Sequence, residues 1–133
     1  MTVERAMYMD TSAIVKLVVR EPESAALRRY LRRKRPLVTS ALARTEVARA
    51  LLPLGPDVVA RGEEVLRRLD IVRMNDQILK AAGSMLPVEL RSLDAIHLAT
   101  ALALGRDLAR VCSYDSRMAA GAGVLGLVVV APQ

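Results

Sequence analysis

The 133 residues are 53% hydrophobic and carry 20 basic against 14 acidic side chains, a net charge of +6, which suits one well-buried domain and excludes a disordered chain. The lone Cys112 excludes an internal disulfide and fits a reducing, cytoplasmic setting, while the longest apolar runs, near Ala101–Leu104 and Val124–Ala131, fall short of the roughly 18 residues that cross a bilayer. With no Trp, no Phe and three Tyr, the chain lacks the aromatic platforms on which single-stranded bases stack, so its basic balance points to phosphate backbone or an acidic partner.

Met1–Arg5 show no basic patch leading into an apolar stretch, and no secretory leader is expected. Ala6–Met9 reads as a strand that stops at Asp10, with Thr11 and Ser12 as caps of a helix over Ala13–Arg20. Glu21-Pro22-Glu23-Ser24 breaks that helix, and Pro22 suits the first turn of the next, Ala25–Lys34. That helix carries Arg28, Arg29, Arg32, Arg33 and Lys34, with Arg35 beyond. They form either a phosphate-facing surface or a solvated outer face. Pro36–Thr39 is a second strand. Ser40 is a plausible cap of a helix to about Leu52 with Ala43, Val47, Ala50 and Leu51 at helical period. Val58–Leu69 and Asp76–Leu86 read as helices, as does Leu93–Leu102, opened by Pro87 and Ser92 and ended by Gly105, and Ile71–Met74 reads as a third strand. Arg110–Tyr114 is the fourth strand, Ser116–Ala120 a short helix, Gly121-Ala122-Gly123 a turn, and Leu127–Val130 a closing strand. Alternating strands and helices give a single α/β domain over residues 1–133 with a central, mainly parallel sheet.

Four acids stand out against this framework. Asp10 ends the first strand and Asp115 the fourth. If those strands are parallel, both project from the edge where open sheets bind ligands. Asp94 lies in the first turn of a helix, and Glu46 borders an apolar stripe, where a carboxylate is costly unless something positive meets it. Each acid alone has a plainer reading, as a cap, a first-turn acid or an ion pair with Arg49. Together they would raise one another's pKa, and a divalent cation relieves that repulsion. All-oxygen ligands without a His or Cys cluster point to Mg²⁺ or Mn²⁺. His97, three residues after Asp94, reads as packing and not as a ligand.

Tyr8-Met9-Asp10-Thr11-Ser12-Ala13-Ile14-Val15-Lys16-Leu17 resembles the opening motif of PIN domains, in particular the VapC ribonuclease toxins of toxin–antitoxin pairs. Thr45–Ala50 around Glu46, Leu93–Ala99 around Asp94 and Ser113–Met118 around Asp115 resemble the second, third and fourth acidic motifs. Met118 stands where an aromatic is common. The resemblance implies a three-layer α/β/α fold and an Mg²⁺- or Mn²⁺-dependent endoribonuclease acting through a metal-activated water. Asp10, Glu46, Asp94 and Asp115 would be its catalytic metal ligands, and Thr11, Ser12 and Ser113 would orient carboxylates or waters. It further implies an RNA substrate, a cognate VapB-type antitoxin and a homodimer. A receiver-like domain would want paired acids after the first strand and a late lysine, and a haloacid-dehalogenase-type phosphatase a second Asp at position 12; neither pattern is present. The serious rival is a PIN-like module that binds RNA or antitoxin with little turnover.

Overall fold

The structure, a computed structural model, describes residues 5–133. The reading of Met1–Arg5 therefore lies, Arg5 apart, outside the described residues. Strands β1 (Ala6–Met9), β2 (Leu37–Ser40), β3 (Asp70–Val72), β4 (Leu108–Cys112) and β5 (Val129–Val130) alternate with helices. These are α1 (Thr11–Val18), α2 (Ser24–Leu31), α3 (Leu42–Leu51), α4 (Pro56–Arg67), α5 (Asp76–Gly83), α6 (Ser92–Ala103) and α7 (Ser116–Val124). The sheet order is β3-β2-β1-β4-β5, and every paired neighbour among the described residues is parallel.

Parallel strands need both faces covered, and the strand sequences supply two apolar faces by simple alternation. Met7 and Met9 of β1 pack with Ile14, Leu27, Val47 and Leu51 under α1 to α4. Ala6 and Tyr8 point the other way, with Val38 and Val111, against Ala101 of α6. A smaller cluster of Leu98, Met118 and Ala122 ties α6 to α7. Met118 is 2% exposed there, so the thioether fills the place of the expected aromatic. The result is the three-layer α/β/α arrangement. Among the described residues, no helix is long and apolar enough to cross a membrane.

The strand order reverses between β1 and β4, whose neighbouring ends align with Met9 opposite Cys112. This is the point at which an open parallel sheet leaves a crevice for ligands. Several local expectations are corrected. Strand β4 begins two residues early and ends at Cys112, so Asp115 caps α7 from a short turn and does not end the strand. Helix α7 runs through Gly121-Ala122-Gly123 to Val124, because Gly121 packs close beneath Leu90 and Leu98, where its missing Cβ is useful. Asp10, not Thr11 or Ser12, is the N-cap of α1, its carboxylate accepting from the Ala13 N–H. Pro22 lies in the turn before α2, whereas Pro56 opens α4 in the position expected of a helix-starting proline. Ser40 ends β2, and its hydroxyl takes the Leu42 N–H, so it caps α3 from one residue further back than expected.

Candidate active site

Asp10 is 3% exposed, an expensive place for a carboxylate, and its surroundings explain how it is tolerated. Oδ1 accepts from the Ser12 hydroxyl at 2.6 Å and from the Ala13 N–H at 3.0 Å, and Oδ2 accepts from the Ser113 hydroxyl at 2.5 Å. Those serines are themselves tied across the crevice. Ser12 Oγ accepts from the Tyr114 N–H and Ser113 Oγ from the Asp115 N–H. Each hydroxyl thus spends its proton on Asp10 and its lone pair on the β4–α7 turn, fixing the carboxylate against both loops. Burial still pushes the Asp10 carboxyl above its usual range, the two serines and Ala13 acting against that rise.

Glu46 arrives from α3 on the same crevice. Its Oε1 accepts from the Thr11 hydroxyl at 2.7 Å and from His97 Nε2 at 2.6 Å. Burial works to raise its carboxyl, but the bonds from His97 and Thr11 prevail and hold it below the usual range. No ion pair forms with Arg49 among the described residues. His97, on α6, is 2% exposed, and its Nδ1 meets the Tyr8 hydroxyl at 2.6 Å. Burial raises the Tyr8 pKa, so that hydroxyl remains a donor. Facing a carboxylate, His97 Nε2 carries a hydrogen and donates it to Glu46. His97 is packed, as expected, but it also aims the Glu46 carboxylate, which sequence reasoning missed.

Asp94 stands in the first turn of α6 and accepts no hydrogen bond among the described residues. Its carboxyl is pushed up by burial first and then by the negative charge of Asp115, with smaller contributions from Asp10 and Glu46 and with His97 opposing. Asp115 accepts the Arg117 N–H at 2.8 Å as the cap of α7. All four predicted acids, with Thr11, Ser12 and His97, line one pocket of about 490 Å³. Ser113 is buried behind it, bonded to Asp10.

The pocket also holds charged residues that were not among the predicted site residues. Lys16 and Glu21 line it, and Lys16 Nζ sits 2.8 Å from Glu23 Oε2, 3.5 Å from Glu21 Oε1 and 4.8 Å from the Tyr114 ring centroid. The available signal was its place in the opening motif, about 1.7 turns beyond the Asp10 cap. Among the described residues, no three acidic, His or Cys side chains are gathered closely enough to grip a metal as they stand. The donor chemistry nonetheless fits a hard divalent cation. The pocket offers five carboxylates, Glu21 among them, and no thiolate, and Asp94, which Asp115, Asp10 and Glu46 push towards protonation, is relieved by added positive charge.

The PIN-domain family pattern matches residues 7–124. Ribonuclease VapC46 of Mycobacterium tuberculosis is 58% identical over 127 residues, which cover 96% of this chain and 98% of that protein. The chain belongs to the PIN-domain family of VapC ribonucleases. Ribonuclease VapC35 of the same species is 41% identical to this VapC-family chain over 130 residues, covering 95% of it and 96% of VapC35. The crystal structure of M. tuberculosis VapC20, described as a sarcin–ricin-loop-cleaving toxin, matches with a TM-score of 0.76 at 17% identity, over 95% of this chain and 99% of that one. A chain from a Klebsiella pneumoniae toxin–antitoxin complex matches with a TM-score of 0.72 at 22% identity, covering 96% of this chain and 98% of that one. At such identities these two structures speak for the fold. PIN-domain ribonucleases generally use divalent metal ions, which agrees with the carboxylate-rich pocket of this VapC-family member.

Proposed function

We infer that this chain, as one PIN domain over residues 1–133, is an endoribonuclease toxin that hydrolyses RNA phosphodiester bonds with Mg²⁺ or Mn²⁺. The observation that carries the reading is the convergence of Asp10, Glu46, Asp94 and Asp115, from four separate elements, on one pocket at the carboxyl edge of the sheet. The 58% identity to a named ribonuclease supports it. Asp10, Glu46, Asp94 and Asp115 would hold the cation, with Asp10 and Asp94 as the most direct ligands. A divalent ion bound there supplies Lewis-acid stabilisation of phosphoryl oxygens and lowers the pKa of water.

The chain's own part is orientation. Ser12 and Ser113 point both oxygens of Asp10, while Thr11 and His97 point Glu46, so the carboxylates need little rearrangement to act together. Lys16 is drawn to the pocket's rim by Glu23 and Glu21, where its ammonium can meet a substrate phosphate. A cognate VapB-type antitoxin, a homodimer and a cytoplasmic location belong to the same reading. The exposed Leu79, Leu86, Val88 and Leu93 around α5 and α6 offer an apolar contact face for a second copy.

The test is incubation of the purified protein with structured and unstructured RNA in Mg²⁺, in Mn²⁺ and in chelator. Cleavage with either ion, none in chelator, and a loss of about 100-fold or more in Asp94→Asn are expected. Absence of metal-dependent cleavage of any RNA favours a binding module with little turnover.

A further inference from the structure

The positive charge of this protein is concentrated in one segment. Residues 24–45 contain seven of the 20 basic side chains and none of the 14 acidic ones, so the rest of the chain carries 13 basic against 14 acidic residues. In the fold this segment does not present a merely convex helix face. Arg33, Lys34 and Arg35 join Arg5, which precedes β1, and Arg110 of β4 around a concavity of about 350 Å³ with Tyr30. No carboxylate lines it. A second concavity of about 250 Å³ shares Arg35 and adds Arg28, Arg32 and Arg68, again without a carboxylate.

The cations here are held without being neutralised. Arg110 donates to the Tyr30 hydroxyl at 2.8 Å, and Lys34 Nζ lies 4.3 Å from the Tyr30 ring centroid. Arg35 donates to the Leu31 and Lys34 carbonyls, and Arg28 to the Leu17 carbonyl. Among the described residues, none of the eight makes an ion pair. Carbonyl and phenol partners orient a guanidinium but leave its charge for an external anion.

The position is opposite the acidic pocket. Arg5 precedes β1 and Asp10 follows it, while Arg110 pairs with Met7 and Cys112 with Met9. The basic concavity thus opens towards the amino edge of the sheet and the carboxylates lie at the carboxyl edge, Arg5 and Asp10 being five residues or about 17 Å apart along the strand. That exceeds the reach of one or two nucleotides and corresponds to about five phosphates of a duplex strand. The acidic pocket, lined by five carboxylates and one lysine, repels phosphate apart from any bound cation, so affinity for a long substrate must come from elsewhere.

We propose that the band from Arg28 to Arg35, with Arg5, Arg68 and Arg110, is a second RNA-binding surface that grips the phosphate backbone of a folded RNA whose scissile bond lies in the acidic pocket. It rests on the reading of that pocket as an RNA-hydrolysing site. The shortage of aromatics makes the grip one of backbone and shape, without base stacking. An acidic protein segment would meet the same charges, but eight cations spread over two joined concavities call for an extended polyanion such as an RNA backbone.

The experiment measures fluorescence anisotropy of a labelled RNA stem-loop in chelator, where hydrolysis plays no part. The triple variant Arg33→Gln/Lys34→Gln/Arg110→Gln is compared with wild type and with Arg61→Gln/Arg67→Gln/Arg73→Gln, which removes equal charge elsewhere. The first variant is expected to bind about tenfold or more weakly, with the slope of log affinity against log salt reduced by about 2 to 3. The control is expected to stay near wild type. With Mn²⁺, the first variant should raise KM for the stem-loop and leave cleavage of a short unstructured oligonucleotide unchanged. Equal loss in both variants, no loss in either, or displacement of the RNA by polyglutamate at lower concentration than by unlabelled RNA overturns the proposal. If wild type cleaves RNA while the first variant binds like wild type, only this surface is wrong. If wild type cleaves nothing while that variant loses binding selectively, the surface stands and the hydrolytic reading fails.

Discussion

Asp10 carries two roles in one side chain, capping α1 and presenting a carboxylate to the crevice. Ser113 makes the two compatible, since it lowers the cost of a buried charge while leaving the pocket open. Ser113→Ala therefore pushes the Asp10 carboxyl still higher and should weaken Mn²⁺ binding about 10- to 100-fold by calorimetry, with the fold retained. Tyr8→Phe leaves His97 Nδ1 buried without its partner, and should cost about 1 to 3 kcal/mol in denaturant unfolding. The acids also set a pH dependence. Asp10 and Asp94 hold protons more tightly folded than unfolded, so in chelator they make stability rise as pH falls through their raised folded pKa values towards 3.8. Glu46 is held low and acts oppositely, its contribution being lost as pH falls below 4.5 through its folded pKa. Asp94→Asn should accordingly stabilise the metal-free protein at neutral pH, by up to about 1 kcal/mol or about 4 °C in Tm, since the site is partly open to solvent.

At the scale of elements, packing decided most of what the sequence left open. The helices with clear apolar stripes were legible. Ala43, Val47 and Leu51 are buried where periodicity put them, whereas Ala50 is exposed and lines the acidic pocket. The end of β4 was not legible, because Ser113-Tyr114 continues an apolar run. Only the structure shows where the pairing stops: the Ser113 amide still bonds the Val130 carbonyl of β5, and the Tyr114 amide goes to the Ser12 hydroxyl. The continuation of α7 through Gly121-Ala122-Gly123 was likewise hidden, since two glycines read as a turn until Leu90 and Leu98 are seen above Gly121. The four acids were legible by their places at strand and helix ends. The Tyr8–His97–Glu46 chain was not, because it requires knowing that β1 lies against α6. Two glycines test the packing. A Cβ at Gly62 would come within 2.5 Å of Leu51 Cδ1, and Leu51 is fully buried. Gly62→Ala should therefore lose about 1 kcal/mol net despite the gain in helix propensity. A Cβ at Gly83 meets nothing within 4 Å, and Gly83→Ala should gain about 0.4 to 1 kcal/mol by the same measurement.

Over the whole molecule, a net charge of +6 hides a division between an acidic carboxyl edge and a basic amino edge of one sheet. A divalent cation held in the acidic pocket would reduce that contrast, and it would bind only the folded arrangement, since Asp10, Glu46, Asp94 and Asp115 are far apart in the chain. Binding should thus stabilise the fold by about 2.7 kcal/mol when the free ion is at a hundredfold excess over its Kd. The most direct measurement is calorimetric titration of Mn²⁺ into metal-free protein, paired with the Tm, for wild type and for Asp10→Asn/Asp94→Asn. A saturable isotherm and a raised Tm in wild type, both lost in the folded double variant, are predicted. An unchanged isotherm and Tm rise in that variant would contradict the account, because the ion would then be held somewhere other than the four converging carboxylates.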